Sequence, residues 1–357
     1  MKTFCTIVFA AAIIALAGCS SNPAQVAPPV NAAQNHAAQY QTNSRGWMLS
    51  RAQNMNLLYV SDQDAPGKLL AFSYPQGELV GEVTVPSDYP GGLCSDSVGD
   101  VFVTTFGPYS QSYVYEYAHG GTEPIATLVD PGDSNGCAID PKTGNLAVTN
   151  FASSSRSGHY GNIAIYQGAQ GTPTTYVDDQ IINYYYCAYD DKGDLFVDGA
   201  AETPEIGELP YGAGKFTNIS LTSDIAPISM QWLKGVLVVS ASTQSKFGPQ
   251  PIYNIRISGT SGIVTGPTLL KSPHDLNPFQ IVQFWSQGKT IVGPDWKGHY
   301  HDLLNFWRST GGWPKKIIRR PGGAVSLHGV TMSSAPPSSV RSLRSSKKRI
   351  SEVQTAP

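Results

Sequence analysis

Hydrophobic residues along the chain form short runs separated by turn-forming residues, and this pattern predicts β-strands. The clearest example is the stretch 135–171, NGCAIDPKTGNLAVTNFASSSRSGHYGNIAIYQGAQG. Its segments GCAID, LAVTN and IAIY, with the following TTYV, are typical of strands, and the Pro and Gly of PKTGN and GAQG supply tight turns. The unit therefore predicts four strands and no helix.

This four-stranded unit recurs along most of the chain. Copies begin upstream with GLCSDSVGDVFVTTF and downstream with YCAYDDKGDLFVDGA, SMQWLKGVLVVSAS and IVQFWSQGKTIVG. A repeat of this length with four strands per unit predicts the blades of a β-propeller. The corresponding first-strand positions lie 43 to 52 residues apart, at Gly92, Gly136, Tyr186, Ser229, Ile281 and Gly329.

The two ends of the repeat region predict how the ring closes. The segments NLLYVSD, KLLAFSYPQG and ELVGEVTV supply three strands of a blade without its first strand, and GGAVSLHGVTMS near the other end resembles that missing strand. The predicted fold is all-β: a six-bladed propeller of four-stranded blades over residues 46–337. Six glycines in the predicted turns between third and fourth strands indicate the same number of blades: Gly77, Gly120, Gly168, Gly212, Gly259 and Gly311.

Composition agrees with one β-rich domain. The 357 residues include 36 Gly and 26 Pro, with only 14% charged residues, as expected for many turns and little exposed helical surface. The formal net charge of -2 argues against nucleic-acid binding, which normally requires a basic face. We expect a monomer without a cofactor.

The N-terminus predicts export and lipid anchoring. Lys2 precedes an apolar run, Phe4 to Ala17, that is too short to span a bilayer and is typical of a signal peptide. The following positions, Leu16, Ala17, Gly18 and Cys19, resemble the lipobox of bacterial lipoproteins, which implies cleavage before Cys19 and acylation (palmitate) of that residue. The alternative is an ordinary signal peptide with a chance cysteine.

The segments outside the repeats are predicted to be flexible. Residues 1–19 form the signal, and residues 20–45, rich in Ala, Gln, Asn and Pro, form a tether. Ser20 resembles the residue found in lipoproteins that move to the outer membrane, so we expect the outer membrane or the cell surface. The tail 338–357 is basic, and a solvated end is favoured over contact with anionic lipid.

Three cysteines, Cys94, Cys137 and Cys187, remain after removal of Cys5 and lipidation of Cys19. They are expected on inner strands of different blades, and we interpret all three as small buried hydrophobic residues rather than a disulfide. Whether Cys137 and Cys187 interact stays open.

Polar residues offer little evidence of catalysis. Asp96, Asp140 and Asp190 recur at one repeat position, where a turn-forming role is favoured over calcium binding. His299 and His301 would share one face of a strand, but no third metal ligand is identifiable. No catalytic residue and no metal site are therefore predicted.

The candidate binding residues are mainly aromatic. The alternative is that such rings pack between blades, because alternation along a strand turns every second residue inward. His328 lies in the closing inner strand and is expected to face the channel, either as a binding residue or as a hydrogen-bonded filler. The candidate set is Tyr184, Tyr185, Tyr186, Trp296, His299, Tyr300 and His328.

The units GLCSDSVGDVFVTT and CAIDPKTGNLAVTN resemble NHL-type repeats, and the whole chain is similar to a group of bacterial lipoprotein propellers that share segments such as LLYVSD, GNLAVTN and DDKGDLFVDG. This resemblance implies a fold and a cell-envelope location but no reaction. The expected function is a membrane-anchored, non-catalytic binding or assembly module for a protein or a glycan. The alternative is a hydrolase or lyase related to gluconolactonase-type propellers, which is disfavoured because the predicted inner strands contain no Glu.

Overall fold

The computed structural model describes residues 46–87, 89–108, 110–155, 158, 160–201, 205–242, 249–273, 280–295, 303–319 and 326–336. These residues form 25 strands, numbered along the chain, and two short 3-10 helices, Ser50–Asn54 and Gln167–Ala169. None of the helices in these ranges has the length or apolar composition that a bilayer span requires.

The strands form five sheets. The first contains β1 (Trp47–Met48), β2 (Leu57–Asp62), β3 (Lys68–Ser73), β4 (Leu79–Thr84) and β25 (Leu327–Ser333), in the order β1-β4-β3-β2-β25. The second contains β5 (Pro90–Ser95), β6 (Val101–Thr105), β7 (Ser112–Tyr117) and β8 (Pro124–Asp130). The third contains β9 (Ser134–Ile139), β10 (Leu146–Ala152), β11 (Tyr160–Tyr166) and β12 (Thr174–Tyr176).

The fourth sheet has eight strands, which form two antiparallel halves. One half is β13 (Ile181–Tyr189), β14 (Leu195–Ala201), β15 (Glu205–Leu209) and β16 (Thr217–Leu221). The other is β17 (Ala226–Leu233), β18 (Val236–Ser242), β19 (Gln250–Ser258) and β20 (Ser261–Leu270). The last sheet contains β21 (Trp285–Gln287), β22 (Thr290–Asp295), β23 (Leu303–Arg308) and β24 (Lys316–Ile318).

The expectation of six separate four-stranded sheets is corrected to five. The outermost strands of the two halves, β16 and β20, pair in parallel through Ser220 with Ser261 and Leu221 with Gly262. This short pairing merges two antiparallel units into one sheet, because unpaired edge strands readily accept another strand. The arrangement of small antiparallel sheets around a common axis is that of a β-propeller.

The two ends of the repeat region meet in the first sheet. Strand β25 pairs antiparallel with β2, with Val330 opposite Val60 and Met332 opposite Leu58. Strand β1, which the sequence pattern did not predict, adds a fifth strand outside β4 through Trp47 and Met48. The first sheet is therefore built from both ends of the chain.

The six turn glycines predicted from the sequence all adopt positive φ, between 56° and 78°, at the turns that follow each third strand. Non-glycine residues rarely adopt this backbone conformation. The prediction of six repeated hairpins is confirmed.

The core lies between neighbouring sheets. In β2 and β6 every residue is buried, because each sheet packs on both faces against its neighbours. One apolar cluster joins Leu57 and Tyr59 of the first sheet to Val101 and Val103 of the second. Another joins the two halves of the eight-stranded sheet through Phe196 and Met230. Continuous apolar runs in the middle strands follow from this double burial.

The expectation of three unpaired cysteines is wrong for two of them. A disulfide joins Cys94 on β5 to Cys137 on β9, with their Cα atoms 5.6 Å apart. The physical reason is the close approach of the inner strands, since a Cβ atom on Gly92 would lie only 2.9 Å from the Cα atom of Gly136. Cys187 is free and buried, as expected.

Reduction of this disulfide should destabilise the ring. The bond closes a loop of 43 residues, for which chain entropy predicts a loss of about 4 kcal/mol in the free energy of unfolding. Denaturant unfolding of Cys94→Ser/Cys137→Ser beside the wild-type chain measures the loss. The control Cys187→Ser removes a buried thiol without a bond, and an equal loss in the control would contradict the assignment.

Candidate functional site

Six chain segments meet around the axis of the molecule. They are β5, β9, β13, β17, β25 and the segment 281–287 that includes β21, and the middle or later residues of all six line one cavity. The space that these six segments surround is called the channel. Its upper end is the end at which the segments begin, and its lower end is the end at which they finish.

Glycines bring the inner strands into contact at the upper end. A Cβ atom on Gly136 would lie 2.6 Å from Cδ1 of Tyr186, and one on Gly329 would lie 2.5 Å from the carbonyl oxygen of Gly91. No larger residue fits at such distances without a shift of the backbone. The buried ring of Tyr186 also lies 2.9 Å from the Cβ position of Gly92, so it fills the space that these glycines leave.

Gln283 links three inner segments across the channel. Its Oε1 accepts hydrogen bonds from the backbone N–H groups of Leu93 and Val330, each at 3.0 Å. Its Nε2 donates to the carbonyl oxygen of Leu93 at 2.7 Å. The side chain is buried, so its amide replaces water as the partner of three backbone groups.

The upper end carries four of the seven candidate binding residues. Tyr184 and Tyr186 are buried, so within the predicted trio Tyr185 has the accessible ring, which stacks on Phe151 at a centroid distance of 6.1 Å. The Tyr184 hydroxyl donates to the Asp178 carbonyl oxygen at 3.1 Å. These contacts show that two of the three tyrosines pack inside the protein.

His328 is buried and packs edge-on against Phe106, with their ring centroids 5.3 Å apart. Burial lowers the pKa of His328 to about 4, while a hydrogen bond with the Gly91 backbone acts in the opposite direction. The imidazole is therefore neutral near pH 7. A neutral, buried ring with an edge contact indicates a packing role for His328 at this end of the inner strands.

The remaining candidates lie outside the described residues. These are Trp296, His299 and Tyr300 in the last repeat, and the predicted lipidation segment Leu16, Ala17, Gly18 and Cys19.

The lower end of the channel opens into a cavity of about 220 Å³. Tyr189, Trp232 and Trp285 contribute aromatic rings to its wall, and Ser95 and Gln231 contribute polar groups. Gln231 holds the neighbouring segment, because its Oε1 accepts from the Ser286 N–H at 2.8 Å. The cavity therefore has a fixed wall of mixed aromatic and polar character.

A groove of about 240 Å³ flanks this cavity between the third sheet and β13–β16. Tyr189 lines both concave sites. Tyr211 is 54% exposed, and Lys142 places its ammonium group 3.7 Å from the Tyr211 ring centroid. Such a cation–π contact holds an accessible ring in one orientation.

A larger groove of about 550 Å³ lies between the two halves of the eight-stranded sheet. Trp232 lines this groove as well as the channel cavity, and it stacks face to face on the buried ring of Phe196 at 5.5 Å. The indole N–H donates to Oδ2 of Asp191 at 3.3 Å. The groove also contains the carboxylates of Asp190, Asp191, Asp194 and Glu208 and the ammonium group of Lys192.

The larger groove is electrostatically negative. Partial burial raises the pKa of Glu208, and the nearby charges of Asp194 and Asp190 raise it further, while Lys192 opposes them. In the part of the chain that the structure describes, no salt bridge involves these four carboxylates. The groove can therefore accept hydrogen bonds from hydroxyl groups or attract a basic side chain.

The recurring aspartates have the turn role that the sequence favoured. Oδ1 of Asp96 accepts from the N–H groups of Val98 and Asp100, and Oδ1 of Asp190 accepts from those of Lys192 and Asp194. Asp140 accepts from Lys142 in the same way. Among the described residues, no three His, Cys, Asp or Glu side chains are grouped to hold a metal ion.

Sequence reasoning missed the lower face. Tyr189, Tyr211 and Trp232 lie at strand ends and turns of successive repeats, where an aromatic residue has no packing role that the strand period would predict. The signal was present as Tyr and Trp directly beside the turn segments DDKGD, YGAG and LKG.

Comparisons with known proteins support the fold alone. No family model matches the chain, and no curated protein matches it. A chain of the nidogen/laminin complex is similar, with 13% identity, coverage of 79% of this chain and 100% of that chain, and a TM-score of 0.55. A protein of unknown function from Bacteroides caccae has 14% identity, coverage of 78% and 99%, and a TM-score of 0.55. The chain is a β-propeller.

Replacing Gln283 should destabilise the channel more than any exposed substitution nearby. Gln283→Leu keeps the volume but leaves two N–H groups and one carbonyl group buried without their partner. At about 1–3 kcal/mol for each, the expected loss in unfolding free energy is about 3 kcal/mol or more. Gln287→Leu, at the exposed end of the same segment, is the matched control in denaturant unfolding. Equal midpoints for the two variants would show that Gln283 is not a structural link.

Proposed function

We propose that the protein is a lipid-anchored extracytoplasmic lipoprotein whose β-propeller is a non-catalytic module for binding or assembly with a protein or a glycan. The observation that carries the binding role is the continuity of the lower face. The channel cavity shares Tyr189 with one groove and Trp232 with the other, so the three concave sites form one surface.

The chemistry of this surface fits an extended ligand. Flat rings such as Trp232 and Tyr211 supply apolar area with a polar edge, which suits a sugar ring or a peptide side chain. The carboxylates of Asp191 and Glu208 beside them accept hydrogen bonds from hydroxyl, amine or guanidinium groups. The fixed orientation of Trp232 reduces the entropy lost when a ligand binds.

We count the two halves of the eight-stranded sheet as separate blades, which gives a ring of six. The contribution of six inner segments to the lower cavity and the six positive-φ hairpins support this count. Apolar clusters also lie between the halves, as they do between separate sheets. The parallel pairing of β16 with β20 is then a contact between neighbouring blades.

The proposed location rests on the signal and lipobox pattern at residues 1–19. The disulfide between Cys94 and Cys137 is consistent with it, because disulfides persist mainly in oxidising compartments such as the bacterial periplasm and cell surface. Acylation at Cys19 would hold the propeller at the membrane through residues 20–45.

Loss of Trp232 should weaken ligand binding. The full-length protein is first screened against arrays of oligosaccharides and of basic and acidic peptides, and the strongest ligand is titrated by calorimetry. Trp232→Ala removes a stacking surface worth about 1 kcal/mol, so the expected loss of affinity is about fivefold.

Trp313→Ala is the matched control, because Trp313 is an exposed tryptophan, 56% accessible, in the last sheet and lines none of the three concave sites described above. The Trp313→Ala variant should bind the ligand with the affinity of the wild type. Equal losses in both variants, or no ligand on either array, would overturn the proposed binding face.

Anchoring is tested separately. Cys19→Ala should abolish metabolic incorporation of labelled palmitate and release the protein from the membrane fraction, since an acyl chain on this residue is the proposed attachment. Cys187→Ala is the control for loss of a cysteine, and palmitate labelling that persists in Cys19→Ala would contradict the anchor.

A further inference from the structure

Hydroxyl groups on second strands link the inner strands of neighbouring sheets. The Ser61 hydroxyl donates to the carbonyl oxygen of Gly91 at 2.7 Å, and the Thr104 hydroxyl donates to that of Asn135 at 2.7 Å. The accepting carbonyl belongs in each case to a residue at a β-bulge of the next inner strand. A bulge leaves its extra residue outside the ladder, so its backbone groups need other partners.

The link between the third sheet and β13 shows the full pattern. Oγ1 of Thr149 accepts from the N–H of Gly136 on its own sheet at 2.8 Å. The same hydroxyl donates to the carbonyl oxygen of Tyr185, at the bulge of β13, at 2.8 Å. One side chain therefore both accepts and donates across the junction.

On β14, Asp198 occupies the position that corresponds to Thr149 on β10. Its Oδ1 accepts from the N–H of Tyr186 at 2.7 Å, as Thr149 accepts from Gly136. Its Oδ2 is buried without a hydrogen-bond partner among the described residues. The next inner strand bulges at Ile228, between the paired residues Pro227 and Ser229. At the other junctions the second contact of the side chain is with the carbonyl oxygen at the bulge, and the Ile228 carbonyl is the corresponding group here.

A charged carboxylate does not fit this position. Titratable neighbours on β13 are Tyr185, Tyr186 and Cys187, none of which supplies a positive charge, and β17 contains no titratable residue. On β15, Glu208 interacts with the charges of Asp194, Asp190 and Lys192. Burial raises the pKa of Asp198 to about 7, although the Tyr186 N–H favours the charged form.

We propose that Asp198 is held as a neutral carboxylic acid that donates a hydrogen bond to the Ile228 carbonyl oxygen, and that its ionisation opens the junction between the two halves of the eight-stranded sheet. On ionisation the proton passes from Oδ2 to water, and the carboxylate keeps the electron pair of the broken O–H bond. The two oxygens that shared the proton then repel each other.

This junction is also the wall of the larger groove. Phe196 lies two residues before Asp198, so both side chains point to the same side of β14, and Phe196 stacks on Trp232. Opening at Asp198 would therefore shift the Trp232 ring. That consequence for ligand binding rests on the proposed function, whereas the hydrogen bond itself does not.

The sign of the pH dependence follows from the raised pKa. Native Asp198 keeps its proton up to about pH 7, whereas in the unfolded chain this carboxyl group loses its proton near its ordinary pKa of about 4. Its contribution to stability is therefore complete below about pH 4 and is lost as the pH rises to about 7. Burial also raises the pKa of Asp130, to about 6. Asp130 lies on β8, however, and its carboxyl group accepts a hydrogen bond from the Tyr166 hydroxyl at a different junction.

Hydrogen exchange of the full-length wild-type protein between pH 5 and pH 8.5, corrected for intrinsic rates, tests the proposal without a ligand. We expect protection of the amides of 228–231 to fall about tenfold between pH 5 and pH 7 and to change little above pH 7. The amides of 135–138, at the Thr104 junction, are the internal control and should change little. Equal behaviour of the two segments would overturn the proposal.

Variants supply the second readout. Asp198→Asn keeps the shape and donates through its amide, so its difference in melting temperature between pH 5 and pH 8 should be smaller than in the wild type. Asp130→Asn is the matched control and should keep the wild-type difference in melting temperature between pH 5 and pH 8. If Asp198→Asn retains the wild-type pH profile, or if its junction amides stay pH-dependent, Asp198 is not the group responsible.

Discussion

The structure depends on the close approach of the inner strands at the upper end of the channel. Gly92, Gly136 and Gly329 allow backbone atoms of adjacent strands to meet at distances that leave no room for a Cβ atom. Gln283 then satisfies backbone groups of two other segments from the channel interior. These glycine contacts join the inner edges of the first four sheets, and Gln283 joins the fifth sheet to the first and the second.

Hydrogen bonds from second strands turn this close contact into a defined register. Ser61, Thr104 and Thr149 each join an inner strand to the bulge of the next one. A bulge would otherwise leave unpaired backbone groups in the buried interior. The same hydroxyl position in successive repeats therefore fixes how far each sheet is rotated from its neighbour, and a carboxyl group at residue 198 makes one junction chemically different.

The repeat, the closing strand and the turn glycines could be predicted because each depends on local rules. Gly120 and Gly212 predict turns with positive φ, because glycine adopts this conformation most readily. The alternation of residues within a strand is likewise visible without knowledge of distant residues. The disulfide, the merged sheet and the role of Gln283 could not be predicted in this way. Each depends on distances between strands more than 40 residues apart, and no single-sequence pattern reports how closely two repeats approach. The burial of Tyr184 and Tyr186 has the same origin, since a tyrosine at a strand start faces either solvent or the next sheet.

The two ends of the channel therefore play different roles. Substitution at the upper end changes contacts on which several sheets depend at once, as the Cβ distances at Gly92 and Gly136 show. The lower end is bordered by strand ends and turns, where Tyr211 and Trp232 project from the ring without supporting the inner contact. Residues there can vary in chemistry while the inner contact holds the sheets in place. A rigid upper end is thus the physical condition for a lower face with aromatic rings in fixed positions, which is what selective binding requires.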